Sequence, residues 1–342
     1  MNVSTTTDAN GMYQFMGLAN DTYTVTEMMQ TGWTNVTSTY IDVLIGGADV
    51  MNQNFTNTLI PVVTPLTSFL MTPDKSVVLK GAIINVNVMA LNESLPELLF
   101  NGMVNITITA NNASAVDYPA TVNVTNGNKT IQVTSSIAQF VTVTATNGTI
   151  TGSTTIEFAD FVIPLVKGWN LVSIPSFANP SDINQILLPV QNNGVQTFNP
   201  ATRNFTTPTD IQPLYGYWIN VTDDNQKLGF IADTSVIIEP PTRNLFEGWN
   251  LIGVSASSQT DLLNAGMVFG SLKYGPHFTE QYYSELVIYD DGQTPKTLVA
   301  GVNDLTDLTD NTPLRIGHGY WLFIKNIPNT NENNVPWAGK TW

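Results

Sequence analysis

Apolar and polar residues alternate in short runs between residues 67 and 160. Asn85–Val88 reads N-V-N-V and Val141–Thr144 reads V-T-V-T. Because successive side chains of a strand point to opposite faces, this period of two predicts strands with one buried face. Seven strands in so short a stretch are typical of a β-sandwich. The predicted strands are Lys75–Lys80, Ile83–Ala90, Met103–Ala110, Ala120–Thr125, Lys129–Ser135, Gln139–Thr146 and Ile150–Phe158.

The first 60 residues carry shorter runs of the same kind. Met12–Leu18, Asp21–Met29 and Tyr40–Leu44 contain aromatic and β-branched residues, and turn-forming residues separate them. Pro61–Pro65 predicts a linker. We therefore predict a domain of short strands over residues 1–59 and a β-sandwich over residues 60–161.

The sequence from Phe161 onward is duplicated. Gly168–Val172 (G-W-N-L-V) recurs 80 residues later as Gly248–Ile252 (G-W-N-L-I), and Gly216–Ile219 (G-Y-W-I) recurs as Gly319–Leu322 (G-Y-W-L). Such a repeat indicates one structural unit built twice. We predict a duplicated β-rich module over residues 162–342, with a first copy at approximately 162–240 and a second at 241–342.

Four tryptophans recur at equivalent positions of the two copies, which are Trp169 with Trp249 and Trp218 with Trp321. A tryptophan brings a large apolar area to a protein interior. We therefore predict that all four pack in the core of the repeat, with Trp169 and Trp249 in equivalent buried environments.

The regions between the two motifs differ in length. Each begins with a predicted short helix, for which Ser181 and Thr260 are suitable N-caps. The two tryptophans of a copy lie 49 residues apart in the first copy and 72 in the second, which predicts 23 additional residues in the second copy, around Gly266–Gln281. Because an inserted segment is free to leave the core, the neighbouring Tyr282 and Tyr283 are candidates for exposed contact aromatics.

The composition excludes several classes of function. The net charge of −15 disfavours binding to nucleic acid or to anionic lipid, both of which select Lys and Arg. The chain has no cysteine, so disulfides, thiolate metal sites and cysteine nucleophiles are excluded. No apolar run reaches the ~18 residues of a membrane-spanning helix. Charged residues make up only 11%, so Thr, Asn and Ser must keep the surface hydrated.

Twelve N-x-Ser/Thr sequons provide the strongest local pattern, and ten of them precede residue 150, where random placement predicts roughly 4. Two explanations stay open. The sites carry N-linked glycans, or strand alternation alone places Asn and Thr two residues apart on one solvent-facing side. The candidate sites are Asn2, Asn20, Asn35, Asn54, Asn92, Asn105, Asn112, Asn123, Asn128, Asn147, Asn204 and Asn220.

No pattern of residues predicts an active site. His277 and His318 share no motif, and the residue equivalent to His318 in the first copy is Tyr215, which indicates a turn residue and not a ligand. The carboxylate pairs Asp223-Asp224 and Asp290-Asp291 lie where hairpin turns are expected. These turns are compatible with surface calcium. We predict no catalytic residues, no cofactor and no enzymatic activity.

Three sequence resemblances name the kind of protein. Thr7–Phe15 (T-D-A-N-G-M-Y-Q-F) followed by Tyr23–Glu27 (Y-T-V-T-E) resembles the second half of the prealbumin-like B-type (Cna-B) domains of Gram-positive and archaeal surface adhesins. Ser76–Gly81 (S-V-V-L-K-G) resembles bacterial and archaeal Ig-like surface domains. Val166–Ile324, with its G-W-N-L and G-Y-W motifs, is similar to modules of secreted methanogen and bacterial surface proteins. These resemblances imply an all-β fold of tandem prealbumin-like and Ig-like sandwiches, followed by the duplicated module with short helices.

The resulting expectation is an extracellular structural protein of the cell envelope, a subunit of a sheath, surface layer, filament or stalk. The alternatives are an adhesin or carbohydrate-binding surface protein, and a non-catalytic fragment of a secreted hydrolase. The expected partners are other copies of the same chain, and glycans.

The B-type resemblance begins in the middle of a domain, which leaves two explanations open. Either the natural protein starts upstream of Met1, with further strands and an export signal, or a neighbouring subunit donates the missing strand. A closed sandwich formed by residues 1–58 alone would contradict both.

Overall fold

The structure is a computed structural model that describes residues 2–60, 65–236, 241–274, 280–289, 294–300, 307–325 and 334–339. The chain divides into two compact units, Met1–Pro65 and Leu66–Trp342. The prediction of an all-β fold is confirmed, because the described residues form many short strands and only two short α-helices. Among these residues no helix is both long enough and apolar enough to cross a membrane.

The N-terminal unit consists of two separate two-stranded antiparallel sheets. One pairs β1 with β3, and the other pairs β2 with β4. Val43 is its one buried apolar side chain among the described residues, whereas Met28 and Leu44 are 94% and 69% exposed. The strands are β1 (Asp21–Thr26), β2 (Trp33–Asn35), β3 (Tyr40–Ile45) and β4 (Asn57–Leu59).

Polar contacts hold this small unit together. The carboxylate of Glu27 accepts hydrogen bonds from the side-chain amides of Asn35 and Asn57, which lie on opposite strands of the β2–β4 pair. The hydroxyl of Tyr13 donates to the carbonyl of Gln53 over 2.6 Å. The predicted strand Met12–Leu18 is wrong: this segment has no ladder partner among the described residues. The described strands of this unit therefore do not form a closed sandwich.

Residues 66–160 form a β-sandwich of two five-stranded sheets around one apolar core. One sheet has the order β10-β12-β7-β5, with β8 also paired to β7, and the other has the order β11-β9-β13-β14-β6. All seven predicted strands are present within a few residues of their predicted bounds. The strands are β5 (Ser68–Pro73), β6 (Val77–Leu79), β7 (Ile84–Asn92), β8 (Leu95–Pro96), β9 (Gly102–Ala110), β10 (Val116–Asp117), β11 (Thr121–Val124), β12 (Asn128–Ser135), β13 (Gln139–Asn147) and β14 (Ile150–Ala159).

The first copy of the duplicated module has a four-stranded sheet with the order β16-β19-β17-β18, and a separate β15–β20 pair. Its helix is capped by Asp182, whose carboxylate accepts from the amides of Asn184 and Gln185 over 2.9 and 3.0 Å. The predicted cap Ser181 is thus wrong by one residue. The elements are β15 (Phe161–Leu165), β16 (Gly168–Ser173), α1 (Ile183–Ile186), β17 (Asn192–Asn199), β18 (Asn204–Thr206), β19 (Gly216–Val221) and β20 (Gln226–Phe230).

The second copy repeats this plan with the sheet order β22-β30-β26-β27-β28 and a separate β21–β31 pair. Its helix begins after Asn264, which caps the amide of Met267, so the predicted cap Thr260 is wrong. The elements are β21 (Arg243–Phe246), β22 (Gly248–Ile252), β23 (Leu263–Asn264), α2 (Ala265–Phe269), β24 (Lys273–Tyr274), β25 (Glu280–Gln281), β26 (Tyr283–Ile288), β27 (Lys296–Ala300), β28 (Asp307–Leu308), β29 (Pro313–Leu314), β30 (Tyr320–Ile324) and β31 (Asn334–Trp337). One continuous apolar core serves both copies.

Candidate binding surface on the duplicated module

Two residues of the G-W-N-L motif shape the entry to the strand. Gly168 and Gly248 have φ angles of +101° and +95°, which favour glycine. Asn170 accepts from the amide of Val166 over 2.9 Å and donates to the carbonyls of Val166 and Gly168 over 2.7 and 2.9 Å. Asn250 makes the same three bonds to residues 246 and 248. The motif therefore belongs to a turn that its own buried asparagine closes.

The leucine of one copy packs against the glycine of the other. A Cβ added at Gly216 would lie 2.8 Å from Cγ of Leu251, and one added at Gly319 would lie 2.8 Å from Cγ of Leu171. The backbones also meet here, because the amide of Gly319 donates to the carbonyl of Leu171 over 3.0 Å. Both glycines are thus required by the close approach of the two copies.

The tyrosine of the G-Y-W motif belongs to the core. Tyr217 and Tyr320 are 2% and 1% exposed. The hydroxyl of Tyr217 accepts from the amide of Gln212 over 2.8 Å, and that of Tyr320 accepts from the amide of Arg315 over 2.6 Å. Burial raises the pKa of Tyr217 well above its ordinary value. Each tyrosine therefore anchors the loop five residues before it.

The four repeated tryptophans do not lie in the core, and that prediction is wrong. Trp169 is 52% exposed and Trp249 is 36% exposed, while Trp218 and Trp321 are half-buried. The strand period explains the correction: Asn170, Tyr217 and their counterparts point inward, so the adjacent tryptophans point outward. We call this side, which carries Trp169, Trp218 and Asn220 in the first copy and Trp249, Trp321 and Phe323 in the second, the outer face.

The first aromatic cluster on the outer face contains Trp169, Trp218 and Tyr289. The rings of Trp169 and Trp218 are perpendicular, with centroids 6.5 Å apart. Tyr289, which follows β26 of the second copy, meets Trp218 edge-on at 5.0 Å. Aromatic side chains of both copies therefore build this cluster.

The second aromatic cluster contains Trp249, Trp321, Phe323, Phe198 and Phe205. The pair Trp249–Trp321 repeats the perpendicular geometry at 6.4 Å. Phe198 and Phe205, on the β17–β18 hairpin of the first copy, lie 5.0 and 6.1 Å from Trp321. Each tryptophan pair is thus completed by rings from the other copy, and exposed aromatic surface of this kind is typical of binding sites.

Tyr282 and Tyr283 are not the contact aromatics of this module. Tyr283 is 2% exposed, packs on Phe269, and has a pKa that burial raises well above its ordinary value. Tyr282 is half-buried against Tyr274, with ring centroids 4.4 Å apart. The prediction of an exposed pair is wrong because Tyr283 begins a strand that pairs with β30.

A buried arginine ties the two copies together. Arg243 is 7% exposed and donates through Nη1 to the carbonyls of Leu214 and Leu251 over 2.8 and 3.0 Å. Its guanidinium carbon lies 3.9 Å from the ring centroid of Tyr215. Burial lowers the pKa of Arg243 to about 10. The carbonyls and the ring face replace water around this charge.

The other candidate groups do not converge. The backbone of His318 pairs with Val172, and its carbonyl accepts from the hydroxyl of Ser173 over 2.8 Å, as expected of a structural turn. Asp223 and Asp224 are exposed after β19. His277 and Asp290-Asp291 lie outside the described residues. In the part of the chain that the structure describes, no three His, Asp or Glu side chains are grouped to hold a metal ion.

None of the twelve sequon asparagines is buried. Eight are exposed, and Asn35, Asn92, Asn147 and Asn220 are half-buried. In β11 and β19 the residue between Asn and Thr is buried, as it is for Val124. Both explanations of the sequons therefore remain, because glycan attachment and strand alternation require the same orientation.

The comparisons with known proteins identify no relative. No protein-family model matches the chain, and no curated protein matches it. Two glycosyl hydrolase family 2 structures from Bacteroides cellulosilyticus are similar to part of it, each with 10% identity. The first has a TM-score of 0.26 over 35% of this chain and 18% of that chain, and the second 0.25 over 34% and 20%. The match thus spans about a fifth of each solved chain, and so slight a likeness carries no argument about fold or activity.

Proposed function

We propose that the chain is an exported structural protein of the cell envelope that assembles with copies of itself into a sheath, surface layer, filament or stalk. The resemblances of its sequence to Cna-B, Ig-like and methanogen-type surface modules support this class. In this proposal the chain acts through shape and contact, without catalysis.

The joint between the sandwich and the duplicated module is the observation that carries the proposal. One residue, Asp160, separates β14 from β15. Its carboxylate pairs with Lys80 over 2.7 Å and accepts from the amide of Ala232 over 2.9 Å, while its own amide donates to the carbonyl of Phe230 over 3.1 Å. Domains joined by flexible linkers usually move independently. The three contacts of Asp160 hold the sandwich and the duplicated module in a fixed orientation, which suits a structural component that must keep its shape under load.

The N-terminal unit provides the surface for assembly. Each of its two-stranded sheets has outer edges without a ladder partner among the described residues. Unpaired edges beside exposed apolar side chains pair readily with strands of other chains. We therefore assign the contact between subunits to this unit, with strand addition as its mode.

Electron microscopy of the full-length protein with a matched pair of variants tests the assignment. Leu44→Lys places a charge on the exposed side of β3, where Leu44 is 69% exposed. Met103→Lys makes the same kind of change on β9 of the sandwich, where Met103 is 57% exposed. We expect ordered tubes or fibres from the parent and from Met103→Lys, and dispersed particles from Leu44→Lys. Dispersed monomers of the parent protein would contradict the proposal.

The outer face supports a second candidate, an adhesin or carbohydrate-binding protein. Solvent-exposed perpendicular tryptophans offer flat apolar faces to sugar rings. A glycan array tests this function, with Trp321→Ala as the informative variant because Trp321 contacts Phe198 and Phe205. Reproducible hits that this variant abolishes would favour the adhesin, and an array without hits would exclude the glycans tested.

A further inference from the structure

The two copies differ at one position of the outer face. In the β22–β30 ladder Trp249 stands directly opposite Phe323, and their ring centroids are 5.1 Å apart. In the β16–β19 ladder the equivalent residue opposite Trp169 is Asn220. Side chains directly opposite each other on neighbouring antiparallel strands lie in contact range, with Cβ atoms about 4.5–5.5 Å apart.

The exposure of the two tryptophans follows from this difference. Trp249, beside Phe323, is 36% exposed, whereas Trp169, beside Asn220, is 52% exposed. The first copy therefore has a short amide side chain on the outer face where the second copy has an aromatic ring. Trp218, two residues before Asn220 on the same side of the strand, meets Trp169 edge-on.

Asn220 is also the acceptor position of a sequon, Asn220-Val221-Thr222. Val221 is 1% exposed, so Asn220 and Thr222 project from the outer side of the strand. We propose that Asn220 carries an N-linked glycan whose first sugar packs on the ring of Trp169, in the place that Phe323 occupies in the second copy.

The chemistry of the two partners fits. A pyranose ring has a face of C–H groups that is apolar and slightly positive, and the face of an indole ring is slightly negative. Attachment to Asn220 holds the sugar beside Trp169, so the contact needs no separate binding step. The glycan thus completes the outer face of the first copy, as Phe323 completes that of the second.

The experiment uses the full chain secreted from a host that adds N-linked glycans, trimmed enzymatically to one N-acetylglucosamine per site. Glycopeptide mass spectrometry measures the occupancy of Asn220. Thr222→Ala removes the sequon and leaves Asn220 in place. We expect Asn220 to be occupied, and the loss of its sugar to lower the melting temperature by about 2–4 °C, the shift expected of a contact worth about 1 kcal/mol.

Coupling to Trp169 separates the proposed contact from a general effect of glycosylation. Trp169→Ala should abolish the difference between the occupied chain and Thr222→Ala, whereas Trp249→Ala should leave it unchanged. The sequon at Asn204 serves as the control site, because its strand directs Phe205 toward the second aromatic cluster and Asn204 away from it. Thr206→Ala removes this sequon, and the resulting change in melting temperature should be the same with and without Trp169. Upfield-shifted sugar protons that return to normal in Trp169→Ala would place the sugar on that ring.

An unoccupied Asn220 in a chain that is occupied at Asn204 overturns the proposal. So does an occupied Asn220 whose stabilising effect persists in Trp169→Ala. In nature the modification rests on the proposed export, but the coupling measured in the secreting host does not depend on self-assembly. A result that contradicts the contact between the glycan and Trp169 would therefore not contradict the assembly proposal, and a failure to assemble would not contradict this contact.

Discussion

We predict that Glu157, at the joint between the sandwich and the duplicated module, makes the stability of the chain depend on pH. It is 5% exposed on β14, and a Cβ added at Gly229 of β20 would lie 2.6 Å from its Oε1. The small cavity at this place is otherwise lined by uncharged residues, among them Phe140 and Ile186. Burial raises the pKa of Glu157 from its ordinary value of 4.5 to about 7.

The sign of the effect follows from this shift. Below pH 4.5 the carboxyl is protonated in both folded and unfolded chains, and it contributes no pH dependence. Between 4.5 and about 7 the unfolded chain releases the proton while the folded chain keeps it, so the free energy of unfolding falls as the pH rises. At ~1.36 kcal/mol per pKa unit, the full loss is about 3 kcal/mol.

Glu157→Gln removes this loss because the amide does not ionise. Urea unfolding followed by tryptophan fluorescence, from pH 4 to pH 8, should give nearly equal stabilities at pH 4 and a variant more stable by about 3 kcal/mol at pH 8. Glu247→Gln, at an exposed position, controls for the lost charge. A difference that stays constant across the pH range would refute the assignment of the effect to Glu157.

Three further predictions concern the duplicated module. Asn170→Ala should cost about 2–4 kcal/mol in urea unfolding, because it leaves buried backbone groups without partners, and Asn250→Ala should match it within about 1 kcal/mol; a small cost at either position would remove the equivalence of the turns. Gly319→Ala should cost about 1–3 kcal/mol by overpacking, and Leu171→Ala should restore part of it, so purely additive losses would contradict the contact between copies. Residues 162–240 expressed alone should lack a cooperative thermal transition by circular dichroism, since the core is shared between copies; a sharp transition would show that one copy suffices.

The sandwich strands are predictable from the sequence because each exposes one face and buries the other. In β7 the buried residues Ile84, Val86 and Val88 alternate with Asn85 and Asn87, so the alternation in the sequence is enough to predict the strand and its buried face. The strand β5 (Ser68–Pro73) is missed because its six residues follow a proline-rich linker and end in proline. The N-terminal run Met12–Leu18 contains aromatic residues typical of a strand, but it pairs with no strand among the described residues.

The duplication could be read from the sequence, but the direction of its side chains could not. Recurrence shows that a residue is required by the shared unit, and it does not show which way the residue points. Asn170 is the member of the motif that fixes the inward direction, because its buried side chain closes the turn before it. Hydrophobicity alone predicts that an asparagine between Trp and Leu lies on the surface, and it therefore predicts that Trp169 lies in the core.

A duplicated chain offers a comparison that a single domain lacks, since each copy is a control for the other. Positions that agree, such as Gly216 with Gly319, are explained by the contact that the copies make with each other. Equivalent surface positions that carry different residues in the two copies are not explained by this contact. Asn220 and Phe323 stand in the same place opposite the same residue type, yet one is an acceptor sequon and the other an aromatic ring. The fold accommodates an asparagine or a phenylalanine at this position, so the residue found there can be selected for function. The outer face of the first copy is therefore where we expect a functional contact.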